Sequence, residues 1–92
     1  MKFEWDEKKN RSDFKKQGIW FEEAQAIWVD SKSIEFFNPE HSSKEDRYIR
    51  IGHSTKSRIL LVIFCEREGS TIRIISARKA TSQEMRDYEK GI

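Results

Sequence analysis

Seven consecutive residues, Ile59 through Cys65, are apolar. Side chains alternate between the two faces of a strand, so a strand built here presents hydrophobic groups to both sides and both must be covered. Thr55-Lys56-Ser57 before it and Glu68-Gly69 after it are turn signals, which bounds the strand to about Arg58–Glu66. On the upstream side the pattern alternates, with Tyr48, Arg50 and Gly52 on one face and Ile49, Ile51 and His53 on the other. Downstream, Ser70 to Ala77 reads as a further strand, making residues 46–77 an antiparallel meander. The doubly apolar strand belongs in its centre, with helices on one face and something else over part of the other.

The flanks supply the helices. Phe3 and Trp5 alternate with polar neighbours and mark a short strand, and Asp6 is an N-cap for a helix over residues 7–17 that ends at Gly18. Glu7 with Arg11 and Lys9 with Asp13 are spaced for pairing along that helix, which has few apolar residues besides Phe14 and so lies on the surface. Phe21, Ala24, Ile27 and Trp28 share one helical face, predicting a second helix over 21–29 whose aromatics join the core. Ile34–Phe37 suggests an edge strand closed by Asn38-Pro39, and residues 40–46 contain no apolar side chain and read as a loop. Thr81 and Glu84 form a capping box that opens a last helix to about residue 90, with Met85 and Tyr88 on one face. The expected fold is α+β in one domain, residues 1–92: two N-terminal helices, an antiparallel three- to five-stranded sheet and a C-terminal helix.

A chain of 92 residues supports one core. Charged residues make up 37%, yet 36% apolar and 12% aromatic content is enough to fold. No apolar run approaches the roughly 20 residues of a bilayer span, and Met1 to Asp6 has no basic stretch followed by an apolar one, so neither a span nor a signal peptide is expected. The single cysteine, Cys65, cannot form an internal disulfide; it fits a reducing cytoplasm and a core position better than a nucleophile's role. Net charge is only +2, but its distribution is uneven: residues 1–40 carry seven Lys/Arg against nine Asp/Glu, and residues 41–92 carry eleven against seven. Seven of the eight arginines lie in the second part, so an anionic ligand is to be sought there.

Gly-rich phosphate loops, a G-x-S-x-G elbow and paired metal-ligand spacings are absent, so no cofactor or metal is expected. What stands out is the cation series Arg47, Arg50, His53, Lys56, Arg58, Arg73, Arg78 and Lys79. A competing reading makes these solvated cations paired with Glu45, Asp46, Glu66 and Asp87. Arg73 weighs against it, because an arginine inside Thr71-Ile72-Arg73-Ile74-Ile75 is costly unless paired or bound to a ligand. RNA cleavage without a metal needs a group to take the 2′-hydroxyl proton, cations for the charge on phosphorus and an acid for the departing 5′-oxygen. Glu45 or His53 could move protons, Arg47, Arg73 and Arg78 could hold phosphate, and Lys79 could assist; composition does not assign the roles.

Motif order adds a resemblance. Phe3-Glu4-Trp5-Asp6 with Lys9, Asn10 and Gly18, then Phe21-Glu22-Glu23-Ala24, then Glu45 through Gly52, and finally Arg73 through Thr81 with Glu84 and Tyr88 resemble the BrnT toxins over almost the whole chain. The last stretch is the most specific. Two positions depart from the pattern: Gln17 where members often have His, and Trp20, where many have Ser, which forfeits an N-cap. The resemblance implies a RelE-like fold, RNA cleavage with translation arrest, neutralisation by a BrnA-type antitoxin, and contact with operator DNA only through that antitoxin. It carries catalytic roles onto Glu45, Arg47, Arg73 and Arg78 and adds Lys79 to the functional surface; with Lys79, the cations Arg50, His53 and Lys56 of the series above are the RNA-binding candidates. The alternative is a non-catalytic module that acts with a DNA-binding antitoxin as an autorepressor; a third is a domain that meets only another protein.

Overall fold

The computed structural model describes residues 1–41 and 44–91. The elements run β1 (Lys2–Glu4), α1 (Glu7–Gln17), α2 (Phe21–Ala24), a 3-10 turn (Gln25–Val29), β2 (Ile34–Phe37), a second 3-10 turn (Pro39–His41), β3 (Tyr48–His53), β4 (Ile59–Arg67), β5 (Thr71–Lys79) and α3 (Ser82–Lys90). Part of the expected 40–46 loop, residues 42 and 43, lies outside the described residues.

The sheet has five strands in the order β1-β5-β4-β3-β2, so doubly apolar β4 is central, as its sequence requires. The meander is antiparallel, but β1 pairs with β5 in parallel, Phe3 opposite Ile72 and Glu4 opposite Arg73. The sheet is therefore mixed, not antiparallel throughout. A parallel pair needs a long crossover, and no local sequence signal marks where the first strand will dock. The second helix is likewise shorter than expected: only Phe21–Ala24 is α-helical and Gln25–Val29 tightens to 3-10. Ile27, Trp28 and Val29 are weaker helix formers than straight-chain residues, and a tightened last turn is a common way to end.

One face of the sheet carries the core. Leu60, Val62 and Phe64 of β4 with Ile72, Ile74 and Ala77 of β5 meet Ile19, Phe21, Ala24 and Ile27. Phe3, Trp5, Trp28 and Tyr48 close its rim, with Trp28 edge-on to both Phe3 and Phe64 at 5.2 and 4.9 Å between centroids.

Polar contacts, more than Phe14, fasten α1. Asp6 caps it and Gly18 ends it in the left-handed conformation. Its two buried side chains are Asn10 and Asp13. Asn10 accepts the Phe21 N–H at 2.8 Å and donates to Glu22 at 2.9 Å. It thereby satisfies a first-turn amide of α2 that has no partner within the helix. Trp20 makes no side-chain cap bond; it stacks on Phe14, ring centroids 3.9 Å apart, and keeps 38% of its surface exposed. Asp13 pairs with Lys9 at 3.0 Å, while the Glu7 carboxylate accepts from Trp5 and Asn10.

Candidate active site

Directly opposed residues of an antiparallel pair share a face. On the face away from the core, β4 places Leu61, Ile63 and Cys65, opposed on β5 by Arg78, Ser76 and Arg73, and on β3 Ile51 and Ile49 oppose Leu61 and Ile63. α3 crosses one end of this face: Glu84 takes Arg78, and the Tyr88 ring lies 5.9 Å from that of His53. Leu61 and Ile51 at that end are buried, whereas Ile49, Ile63, Ile75 and Ser76 beyond it remain half-exposed. The result is an apolar floor with an arginine at each end.

The two arginines reach one face because β5 is irregular. Ile63 opposes Ser76 but Phe64 opposes Ile74, leaving Ile75 as an extra residue. An extra residue inverts the alternation beyond it. Arg73 and Arg78, five apart, thus end up opposite Cys65 and Leu61, about 13 Å apart along the strand.

Around Arg73 the cluster is dense. Its guanidinium pairs with Glu4 at 3.0 Å, and Arg67 pairs with Glu45 at 3.3 Å beside Cys65. Arg47 immediately precedes β3, its carbonyl accepting the Asn38 N–H at 2.8 Å, and strand alternation continues the Ile49 face to it. Burial pushes the Cys65 thiol pKa up, with Glu45 adding to the rise against a hydrogen bond from Arg67. A thiolate is disfavoured there, in keeping with a buried, unreactive side chain.

At the other end Arg78 donates to both carboxylate oxygens of Glu84, at 2.8 and 2.9 Å. That bond holds the Arg78 pKa above and the Glu84 pKa below their ordinary values. His53 lies on this side of the sheet at the end of β3, its backbone N–H bonded to Asp30 at 2.9 Å. Burial opposes a charged Asp30 carboxylate, but the N–H groups of His53 and Lys32 and the Tyr88 hydroxyl outweigh it and lower its pKa.

Other sequence candidates stand elsewhere. Arg50 is on the core side, paired with Glu35 at 2.6 Å and 5.3 Å from the centre of the Trp28 ring. Lys56 sits in the β3–β4 turn beside a cavity of about 550 Å³ lined by Glu7, Arg11 and Trp20. Lys79 opposes Leu60, on the core-side parity, and borders a second cavity with His53 and Met85. Arg58 is structural: it grips buried Glu23 at 2.6 and 2.8 Å, and Ser54 donates to the same carboxylate. Sequence reading passed over Glu4, Arg67 and Glu84 as partners; of these only Glu84 had a visible signal, its place in the capping box.

The sequence pattern of residues 5–84 matches the family described as the ribonuclease toxin, BrnT, of type II toxin–antitoxin systems. That places the chain in the class of type II ribonuclease toxins. It belongs to the BrnT family. The crystal structure of the Brucella abortus ribonuclease toxin BrnT is similar, with a TM-score of 0.68 and 27% sequence identity over 89% of this chain and 99% of that one. No curated protein matches. No helix among the described residues is long and apolar enough to cross a membrane.

Proposed function

We propose that the chain is a metal-independent endoribonuclease that cuts RNA on the open sheet face, arrests translation, and is neutralised by a BrnA-type antitoxin. The observation that carries this reading is the placement of Arg73 and Arg78 on one face, with Glu45 at the Arg73 end. Arg47 and Arg73 hold the scissile phosphate and offset the charge that accumulates on phosphorus. Glu45 takes the proton of the 2′-hydroxyl as that oxygen attacks phosphorus and the bond to the 5′-oxygen breaks. The departing oxygen takes its proton from water, because His53 stands at the opposite end of the face, beyond Arg78. One product ends in a 2′,3′-cyclic phosphate and the other in a 5′-hydroxyl. Arg78 binds the RNA backbone beside the reacting phosphate.

An antitoxin that covers this face must meet its arginines, so its neutralising segment is acidic or amphipathic, and operator DNA is contacted only through it. The existing pairing of Arg73 with Glu4 and of Arg78 with Glu84 favours a second reading, a non-catalytic module that represses its own operon together with the antitoxin.

The deciding experiment is cleavage of a defined RNA in EDTA by wild type, Arg73→Ala and Arg78→Ala, with analysis of the product ends. Cyclic phosphate ends, lost in both variants, support the ribonuclease. No cleavage with or without ribosomes leaves the repressor module.

A further inference from the structure

We infer that Asp13, on α1, is a positioning residue for the RNA-binding face: it holds the irregularity in β5 that turns Arg78 onto the same side as Arg73. The inference rests on the reading of that face as the RNA site.

β1 covers β5 only from Thr71 to Arg73, so among the described residues the outer edge of β5 beyond Arg73 has no strand beside it. α1 lies along this edge. One carboxylate oxygen of Asp13 accepts the Ala77 N–H at 2.9 Å and the Ser76 hydroxyl at 3.1 Å. The other accepts Lys9 at 3.0 Å. Asp13 is 5% exposed. Its two donors from the sheet are the residues that immediately follow the unpaired Ile75.

The alternative register shows what this contact secures. If Ile75 were taken into the ladder, the pairing set by Phe64 and Ile74 would continue unbroken, and each later residue of β5 would move one place along β4. Arg78 would then oppose Leu60, which is wholly buried in the core on the helix side, instead of Leu61. Ser76 would oppose Val62, also in the core. The side chains therefore resist the regular register, and Asp13 supplies the matching contact from outside the sheet: it bonds an edge amide and a hydroxyl in the arrangement that only the irregular strand presents.

Asp13→Ala removes both bonds, while Asp13→Asn keeps an acceptor oxygen and loses the charge. Lys9→Ala removes the ion pair alone. Cleavage of a defined RNA in EDTA, expressed per folded molecule from parallel denaturation curves, should fall about 100-fold in Asp13→Ala, the loss that a small misplacement of a distant group can cause. Asp13→Asn and Lys9→Ala should stay within a few-fold of wild type. In a double-mutant cycle, Arg78→Ala should cost nothing further in the Asp13→Ala background, whereas Arg73→Ala should keep its full cost. Nuclear Overhauser contacts between the β4 and β5 backbones should report Arg78 opposite Leu61 in wild type and should weaken from Ile75 to Arg78 in Asp13→Ala, where the irregular segment is no longer held from outside the sheet. Should Asp13→Ala fail to fold, Ser76→Ala removes one of the two bonds and should give a smaller loss in the same direction.

Wild-type cleavage by folded Asp13→Ala, an additive cycle with Arg78→Ala, or contacts from Ile75 to Arg78 as strong as in wild type would overturn the inference. Failure of the underlying reading looks different: Arg78→Ala would itself cleave at the wild-type rate, and the weakened contacts in Asp13→Ala would still be seen.

Discussion

Glu84 binds Arg78 fork to fork, through two hydrogen bonds of 2.8 and 2.9 Å, while the same carboxylate accepts the Thr81 N–H at 2.8 Å. One acidic residue thus closes the capping box of α3 and neutralises an arginine of the open face. A phosphate that binds Arg78 competes with a carboxylate already in place.

Glu84→Gln should separate the two roles. Glutamine still serves a capping box, so α3 keeps its start, but the charge opposing phosphate is gone. RNA binding should tighten several-fold, and the dependence of log affinity on log salt should steepen by about 0.7, the increment for one more phosphate contact to single-stranded RNA. Fluorescence titrations across a salt series measure both. Unchanged affinity and slope would mean that Arg78 does not meet phosphate.

The Glu23–Arg58 pair ties α2 to the start of β4, with the carboxylate side chain 5% exposed and the guanidinium 31%. Hydrogen bonding from Arg58 holds the Glu23 pKa below its ordinary value of 4.5, against the opposing effect of burial. A lowered folded-state pKa stabilises above the unfolded value and is lost as pH falls through the folded one. Denaturant curves should therefore show a loss in wild type below about pH 4.5 that is smaller in Glu23→Gln. At neutral pH the substitution should cost about 2 kcal/mol, less than for a fully buried pair because Arg58 reaches solvent.

Tyr88 donates to Asp30 at 2.6 Å, and burial together with that carboxylate pushes its pKa up to about 12. A raised folded-state pKa means the stabilisation is complete below the ordinary value of 10.0 and lost as pH rises to about 12. Tyr88→Phe should cost about 1–2 kcal/mol at neutral pH and almost nothing above the folded pKa. Melting temperatures against pH test this, and the phenolate absorbance transition missing from the variant identifies the residue.

Gly52 fits where no side chain can. A Cβ there would stand 2.9 Å from that of Ser33 and 3.1 Å from that of Ile27. Gly52→Ala should destabilise by about 1–3 kcal/mol through overpacking between β3 and the 3-10 turn that follows α2. A denaturation midpoint equal to wild type would show that the turn yields freely.

Chemistry confined to a few neighbouring residues was determined by the sequence itself. Asp6 and Gly18 bound α1, Thr81 and Glu84 open α3, alternation sorts β3 into two faces, and the apolar run of β4 demands the centre of a sheet. Each is a relation within one or two turns or along one strand, where geometry follows from spacing. The order of motifs also carried the family. Tertiary structure decided what distant segments share: the parallel docking of β1 on β5, the pairing of Glu4 with Arg73 across 69 positions, and the placement of Arg50 on the core side. The faces of Arg73 and Arg78 belong to the same group. Five residues along a regular strand separate two faces, and only packing that rejects Arg78 beside Leu60, with α1 on the open edge of β5, inserts the extra residue that brings them to one.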